Sequence, residues 1–142
     1  MIHNGWIADA GIDAVYVALR LSGSDPAGRL AALPDLGFTG ANITLPHKDS
    51  ALDAASEATA AARAIGAANT LFLRDRVWTA DNTDAAGLVT GLELRAPDWR
   101  EAGAAVVVLG AGGAARAAVH GLSAGGAPPI RIVNRTLGRA QE

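Results

Sequence analysis

The run "VVVLGAGGAAR", residues 106–116, leaves the chain around it little conformational choice. Three valines and a leucine, Val106 to Leu109, read as a buried strand. They lead into Gly110, Ala111, Gly112, Gly113, Ala114 and Ala115, and "GGAARAAVHGLSAGG" continues as a helix. A second strand follows in "IRIVNRT", about 20 residues further on, as a strand–turn–helix–strand dinucleotide unit requires. The pattern is G-x-G-x-x-A, and each position has its own reason. Gly110 permits the tight turn, Gly112 lets backbone approach a pyrophosphate, and Ala115 keeps the helix close to the sheet. The helix N-terminus offers unpaired N–H groups and the positive end of a dipole to an anion. The end of the second strand selects the cofactor. It carries Asn134, Arg135 and Thr136 and no acid, so a guanidinium is available for a 2′-phosphate that a carboxylate would repel. Arg135 therefore favours NADP, the plain alternative being a solvated arginine at a helix start. Arg116 and Arg139 are less specific candidates for the same site and read more simply as surface charges.

Elsewhere strands and helices alternate, which predicts an α/β fold with mostly parallel pairing. Residues 2–10 have apolar positions at helical spacing, with Gly11 as the stop. "DAVYVAL" (13–19) and "GANIT" (40–44) read as strands. "DPAGRLAALPDLG" is a helix opened by Asp25 and Pro26. Residues 49–65 are helical with a break near Ser56, and two strands meet at a turn around Asp75. Thr83 is the expected N-cap of the next helix. The segment "APDWREAG" is the expected junction, after which a fresh βαβ unit begins. The expected division is a small mixed-sheet domain over 1–83, a linker helix and junction over 84–103, and the first part of a Rossmann-like domain over 104–142.

"NITLPHK" contains Lys48, the single lysine among twelve basic residues. It follows a strand, and ligands in open α/β sheets gather at the carboxyl edges of strands. An ammonium near a developing alkoxide stabilises it by charge and can transfer a proton. A carboxylate beside it would orient it, and "DNTD" supplies Asp81 and Asp84, the latter on the first turn of a helix. Asn69 adds an amide able to bond substrate hydroxyls. By spacing alone, Asp84 serves equally as a favourable charge at a helix N-terminus, and Lys48 as a surface residue.

Composition bounds what else the chain can be. Twelve basic and fourteen acidic residues give a formal charge of −2 without a polybasic block, which argues against nucleic-acid and anionic-membrane partners. There are no cysteines, so disulfides and thiolate chemistry are excluded. The longest apolar run, 102–115, is too short for a bilayer, and no basic leader precedes the first polar residues. A cytoplasmic location is the expectation. No three ligands have metal spacing, so no metal is expected. His47 alternates away from Lys48, and both it and His120 read as structural.

Taken together, "NITLPHK", "GAANT", "DNTDAAGL", "GAGGAAR" and "NRT", in this order, resemble shikimate dehydrogenase. "IHNGWIADAGIDAVYVAL" is similar to that family's segment after its S-x-S-P motif, with His3 and Asn4 matching its "HN". The resemblance implies a two-domain enzyme reducing 3-dehydroshikimate to shikimate with NADPH, on the route to aromatic amino acids, as a monomer or homodimer. It implies Lys48 and Asp84 as the catalytic pair, and Thr44, Asn69, Lys48 and Asp84 as substrate contacts. Gly110, Ala111, Gly112, Gly113 and Ala114 correspond to the pyrophosphate cradle, and Asn134, Arg135 and Thr136 to the 2′-phosphate site. A quinate/shikimate dehydrogenase, a paralogue acting on a related hydroxy acid, and a non-catalytic piece of such an enzyme are the alternatives. The resemblance also implies that the S-x-S-P segment falls before Met1 and further nucleotide-domain strands after Glu142. Residues 100–142 alone are then expected to be marginal, with helix 113–124 partly uncovered, and the chain by itself to bind NADP weakly or not at all.

Overall fold

The computed structural model describes residues 2–101 and 103–141. Two sheets carry the fold. The first has four strands in the order β1 (Gly40–Asn42), β3 (Thr70–Arg74), β4 (Val77–Asp81), β2 (Glu57–Ala58). β1 and β4 each run antiparallel to β3, and β2 runs parallel to β4. The mixed sheet is present, but its balance differs from expectation, with one parallel pairing against two antiparallel ones. The cause is local: Asp75 and Arg76 both take the left-handed conformation (φ 50° and 63°), which closes β3 and β4 into a two-residue hairpin.

Helices pack on this sheet through small and aliphatic side chains. α2 (Pro26–Ala31) is capped by the Asp25 carboxylate, which accepts from Gly28 N at 2.9 Å. A 3₁₀ turn, Leu33–Leu36, follows and stops at Gly37 (φ 85°). Leu30, Leu33, Ala51, Ala68, Leu71, Trp78 and Ala80 form the core beneath them. The helix expected over 49–65 is divided into α3 (Lys48–Ala54) and α4 (Ala60–Ile65). β2 lies in the break, where Ser56 N and Thr59 N donate to Trp78 O and Ala80 O.

The segment 13–19 is a correction. It has no regular secondary structure and belongs to no sheet among the described residues. Its β-rich composition is real, yet a strand needs a neighbour, and the Asn4 side chain takes that place. The Asn4 carboxamide donates to Tyr16 O (3.0 Å) and accepts from Tyr16 N (2.7 Å), while the His3 ring stacks on Tyr16 at 4.2 Å. α1 (Ile2–Asp9), which carries both residues, buries no side chain of its own. A groove of about 170 Å³ separates this segment from the edge of β1 and is lined by Val17, Leu19, Phe38 and Ile43. Asn4→Ala removes both backbone-like bonds, and we expect chymotryptic cleavage at Tyr16 to become about tenfold faster or more. Unchanged cleavage would show that the groove, not Asn4, holds the segment.

The second sheet pairs β5 (Val106–Leu109) with β6 (Ile130–Val133) in parallel, with Leu109 opposite Val133. α6 (Gly113–Ala124) connects them, and α7 (Leu137–Gln141) follows. α6 is partly covered, as expected, with Ala115 and Val119 half-buried and lining an open cavity. Its buried face, Gly113, Ala117, Gly121 and Leu122, packs on α5 (Asp84–Arg95) and α4. Further exposed apolar surface lies on the sheet, at Val107, Leu109 and Val133. No helix among the described residues is long and apolar enough to cross a membrane.

Candidate functional site

Strand directions determine which residues meet. β1 and β4 run the same way, with β3 opposed between them. The ends of β1 and β4 and the start of β3 therefore share one edge of the sheet. Lys48 follows β1, Asn69 precedes β3 and Asp84 follows β4, so three residues far apart in sequence converge there.

They form a closed set of hydrogen bonds. Lys48 Nζ donates to Asp84 Oδ2 at 2.5 Å, with the side chains 13% and 31% exposed. Asn69 Nδ2 donates to Asp84 Oδ1 at 2.8 Å. Each carboxylate oxygen thus takes one N–H, while the ammonium keeps two further donors for another oxygen. Asn69 is held in turn: Thr83 N and Thr70 Oγ1 donate to its Oδ1, at 3.0 and 2.9 Å. Thr83 is the N-cap residue of α5 as expected, but its hydroxyl bonds Asn69 and makes no cap bond. Backbone bonds fix the frame, with Ala68 N to Lys48 O (2.8 Å), Ile43 N to Asn69 O (2.7 Å) and Asn69 N to Asp81 O (3.0 Å).

Thr44 is not joined to this set by any hydrogen bond among the described residues. It lies four residues before Lys48 and lines the groove beside 13–19, as does His47. His47 is the N-cap residue of α3 and Lys48 its first residue, so the strand alternation expected there does not apply. Asp81 is also apart, accepting from Thr59 Oγ1 at 2.6 Å.

The glycine-rich turn lies directly against this site. A Cβ added at Gly113 would lie 3.3 Å from Ala67 Cβ and 3.5 Å from Lys48 Cδ, so the start of α6 packs closely on both residues and a larger side chain would have to push Ala67 back by a few tenths of an ångström. Gly110 takes φ 110°, which a larger residue resists, and Gly112 would point a Cβ into open space. Gly110 N donates to Val133 O at 2.8 Å, placing the turn beside Asn134, Arg135 and Thr136 at the carboxyl edge of the sheet. Asn134 Nδ2 donates to Thr136 O at 2.8 Å and shapes that second turn, leaving Arg135 exposed. An open helix start with a solvent-facing guanidinium beside it fits a phosphorylated dinucleotide.

Arg116 is not the free surface charge its position suggested. Its guanidinium pairs with Asp49 and also donates to Gly66 O at 3.2 Å, joining α6 to α3 and to the end of α4. Arg139 lines a cavity of about 570 Å³ between α6 and α7, which shares only Gly110 and Ala111 with the expected phosphate cradle. Sequence reasoning also passed over Asn82, which is 4% exposed and bonded to the site on both sides. The available signal was an asparagine two residues before an aspartate at a helix start.

Residues 1–71 match the family model of the shikimate dehydrogenase substrate binding domain. The chain belongs to that family. A shikimate dehydrogenase (NADP(+)) of Mesorhizobium japonicum is 48% identical over 141 residues, 99% of this chain and 50% of that protein. Among solved structures, Thermus thermophilus shikimate 5-dehydrogenase in complex with NADP(H) and shikimate superposes with a TM-score of 0.82 at 34% identity. It is matched over 99% of this chain and 52% of its own. The ligand-free 5-ketofructose reductase of a Gluconobacter strain superposes at 0.78 with 36% identity, over 97% of this chain and 49% of its own. The chain spans about half the length of the curated relatives it matches. Family membership thus rests on the half of the chain that contains Lys48 and Asn69, and the wider matches extend through Asp84 and the glycine-rich turn.

Proposed function

We propose that these residues carry the substrate site and the first nucleotide-binding unit of an NADP-dependent shikimate dehydrogenase. One observation supports this above the others: the Lys48–Asp84 pair lies directly under the turn that would hold the cofactor's pyrophosphate. NADPH, when bound, supplies the hydride. Gly110 to Ala114 would hold its pyrophosphate at the start of α6, and Asn134, Arg135 and Thr136 its 2′-phosphate.

Lys48 Nζ uses its remaining N–H groups to hold the oxygen at the reacting carbon. As 3-dehydroshikimate becomes shikimate, charge builds on that oxygen, and the nearby ammonium stabilises it. The Lys48–Asp84 pair holds the proton that ends on this oxygen and completes the hydroxyl. Asn69 keeps the carboxylate turned toward Lys48 and offers its amide to a neighbouring hydroxyl. Thr44, which lines the groove beside 13–19, would offer a further hydroxyl to the substrate.

The similarity to 5-ketofructose reductase keeps a second reading in view, reduction of a different polyhydroxy ketone by the same pair. Nicotinamide absorbance with shikimate, quinate and the reduced product of 5-ketofructose as competing substrates separates them. Shikimate is expected to give the highest kcat/KM, and a higher value with either rival would replace this reading. Arg135→Gln should lower the preference for NADP over NAD by about tenfold or more, since a charge-assisted bond to phosphate is lost. Equal use of both cofactors by the unmodified protein would remove Arg135 from the site.

A further inference from the structure

Asn82 lies between β4 and α5, with its carboxamide shielded from solvent, and makes two bonds that both end at the site. Its Nδ2 donates to Ala67 O at 2.8 Å, two residues before Asn69. Its Oδ1 accepts from Asp84 N at 3.1 Å. Asp84 is the first residue of α5, whose early N–H groups have no partner within the helix. A side chain that binds this amide and the backbone beside Asn69 therefore ties together the two segments that carry Asn69 and Asp84.

We propose that Asn82 is a positioning residue that sets where Asp84 meets Lys48. The inference rests on reading Lys48 and Asp84 as the reacting pair. Asn82 does not touch the substrate space. It acts by fixing the first turn of α5 against the Ala67–Asn69 turn, so that Asp84 Oδ1 meets Asn69 Nδ2 and Oδ2 meets Lys48 Nζ together. Without the bond to Asp84 N, the carboxylate can follow any rocking of the helix start. Ala85, next in the chain, is buried against α6, so the restraint at Asp84 N is applied at the edge of a packed contact.

The sequence supplies its own reporter. Lys48 is the only lysine, so ¹³Cε-lysine labels one site in the chain. Held by Asp84, its two ε-methylene protons should be distinct; released, they average to one resonance. Asn82→Ser keeps a short oxygen able to accept from the amide two residues on. Asn82→Val fills nearly the same volume without an acceptor. The Ser variant is expected to keep two resonances and the Val variant to average them, with amide spectra showing both folded. Turnover of shikimate should fall by about 10²-fold in the Val variant and by much less in the Ser variant, as small misplacements of reacting groups do. The same Lys48 pattern in both folded variants overturns the proposal, even if their thermal midpoints drop. Should the Val variant not fold, Asn82→Ala, which also lacks the acceptor, decides: one averaged resonance upholds the proposal and two overturn it. The lysine signal needs no substrate, so failure of the functional reading would appear separately, as absent turnover with the Lys48 pattern intact.

Discussion

Lys48→Met will lower shikimate turnover by the active protein about 10²- to 10⁴-fold, the span that one positioned proton-transfer group commonly contributes. The substitution keeps an unbranched stem of similar length, so packing against Gly113 and Ala67 survives while the ammonium is lost. Lys48→Arg is the sharper variant. It keeps a positive charge, and an ion pair with Asp84 remains possible. A guanidinium is nevertheless a planar fork that stays protonated in proteins, whereas the ammonium is compact. The space is also closed, since the side chain is 13% exposed and runs beneath the start of α6. Arginine is expected to leave kcat within about tenfold of the methionine variant. If arginine instead restores most of the wild-type rate, Lys48 acts only as a charge, and the proton comes from elsewhere. Asp84→Asn should give a loss in the same range, because an amide cannot take part in the proton balance.

The parts of this site that were legible beforehand are those written in contiguous residues. The glycine-rich turn needs only a strand, two glycines at fixed spacing and a helix, and it folds as its order implies. The hairpin at Asp75 is equally local. Lys48 and Asp84 are 36 residues apart; the rule that strand ends collect function at one edge left Asp81 and Asp84 both open as partners, and only the family resemblance chose between them. The segment 13–19 shows where such reasoning stops. Its composition favours a strand, but pairing depends on a neighbour that composition does not name, and Asn4 supplies two bonds instead of a ladder. Arg116 shows the same limit, since Asp49 lies 67 residues away and nothing near either residue marks the other. Asn82 was hidden for a different reason. In "DNTD" the two carboxylates draw attention as chemistry, while the amide between them reads as a turn residue until its burial is seen.

A methyl group at residue 121 will test how far the nucleotide-binding unit and the pair depend on one contact. Gly121 lies on α6 where it crosses α5, and a Cβ there would be 2.8 Å from Ala85 O, 3.2 Å from Ala85 C and 3.2 Å from Val89 Cγ2. The first two are backbone atoms, so the side chain cannot turn away; one helix must move. Gly91, on α5, has nothing within 4 Å of such a Cβ and provides the comparison. Alanine at 91 should stabilise by about 0.5–1 kcal/mol, as expected for replacing glycine inside a helix. Alanine at 121 gains the same helix preference but has to push Ala85 aside, and we expect a net loss of about 1–2 kcal/mol. Ala85 follows Asp84 directly, so the displaced helix carries the carboxylate with it. Gly121→Ala should therefore lower turnover as well as the thermal midpoint, while Gly91→Ala lowers neither. A Gly121→Ala protein as stable and active as Gly91→Ala would mean that α5 and α6 separate freely. The approach of the glycine-rich turn to Lys48 would then not be held by this crossing, and the Arg116 contacts to Asp49 and Gly66 would be left to hold it.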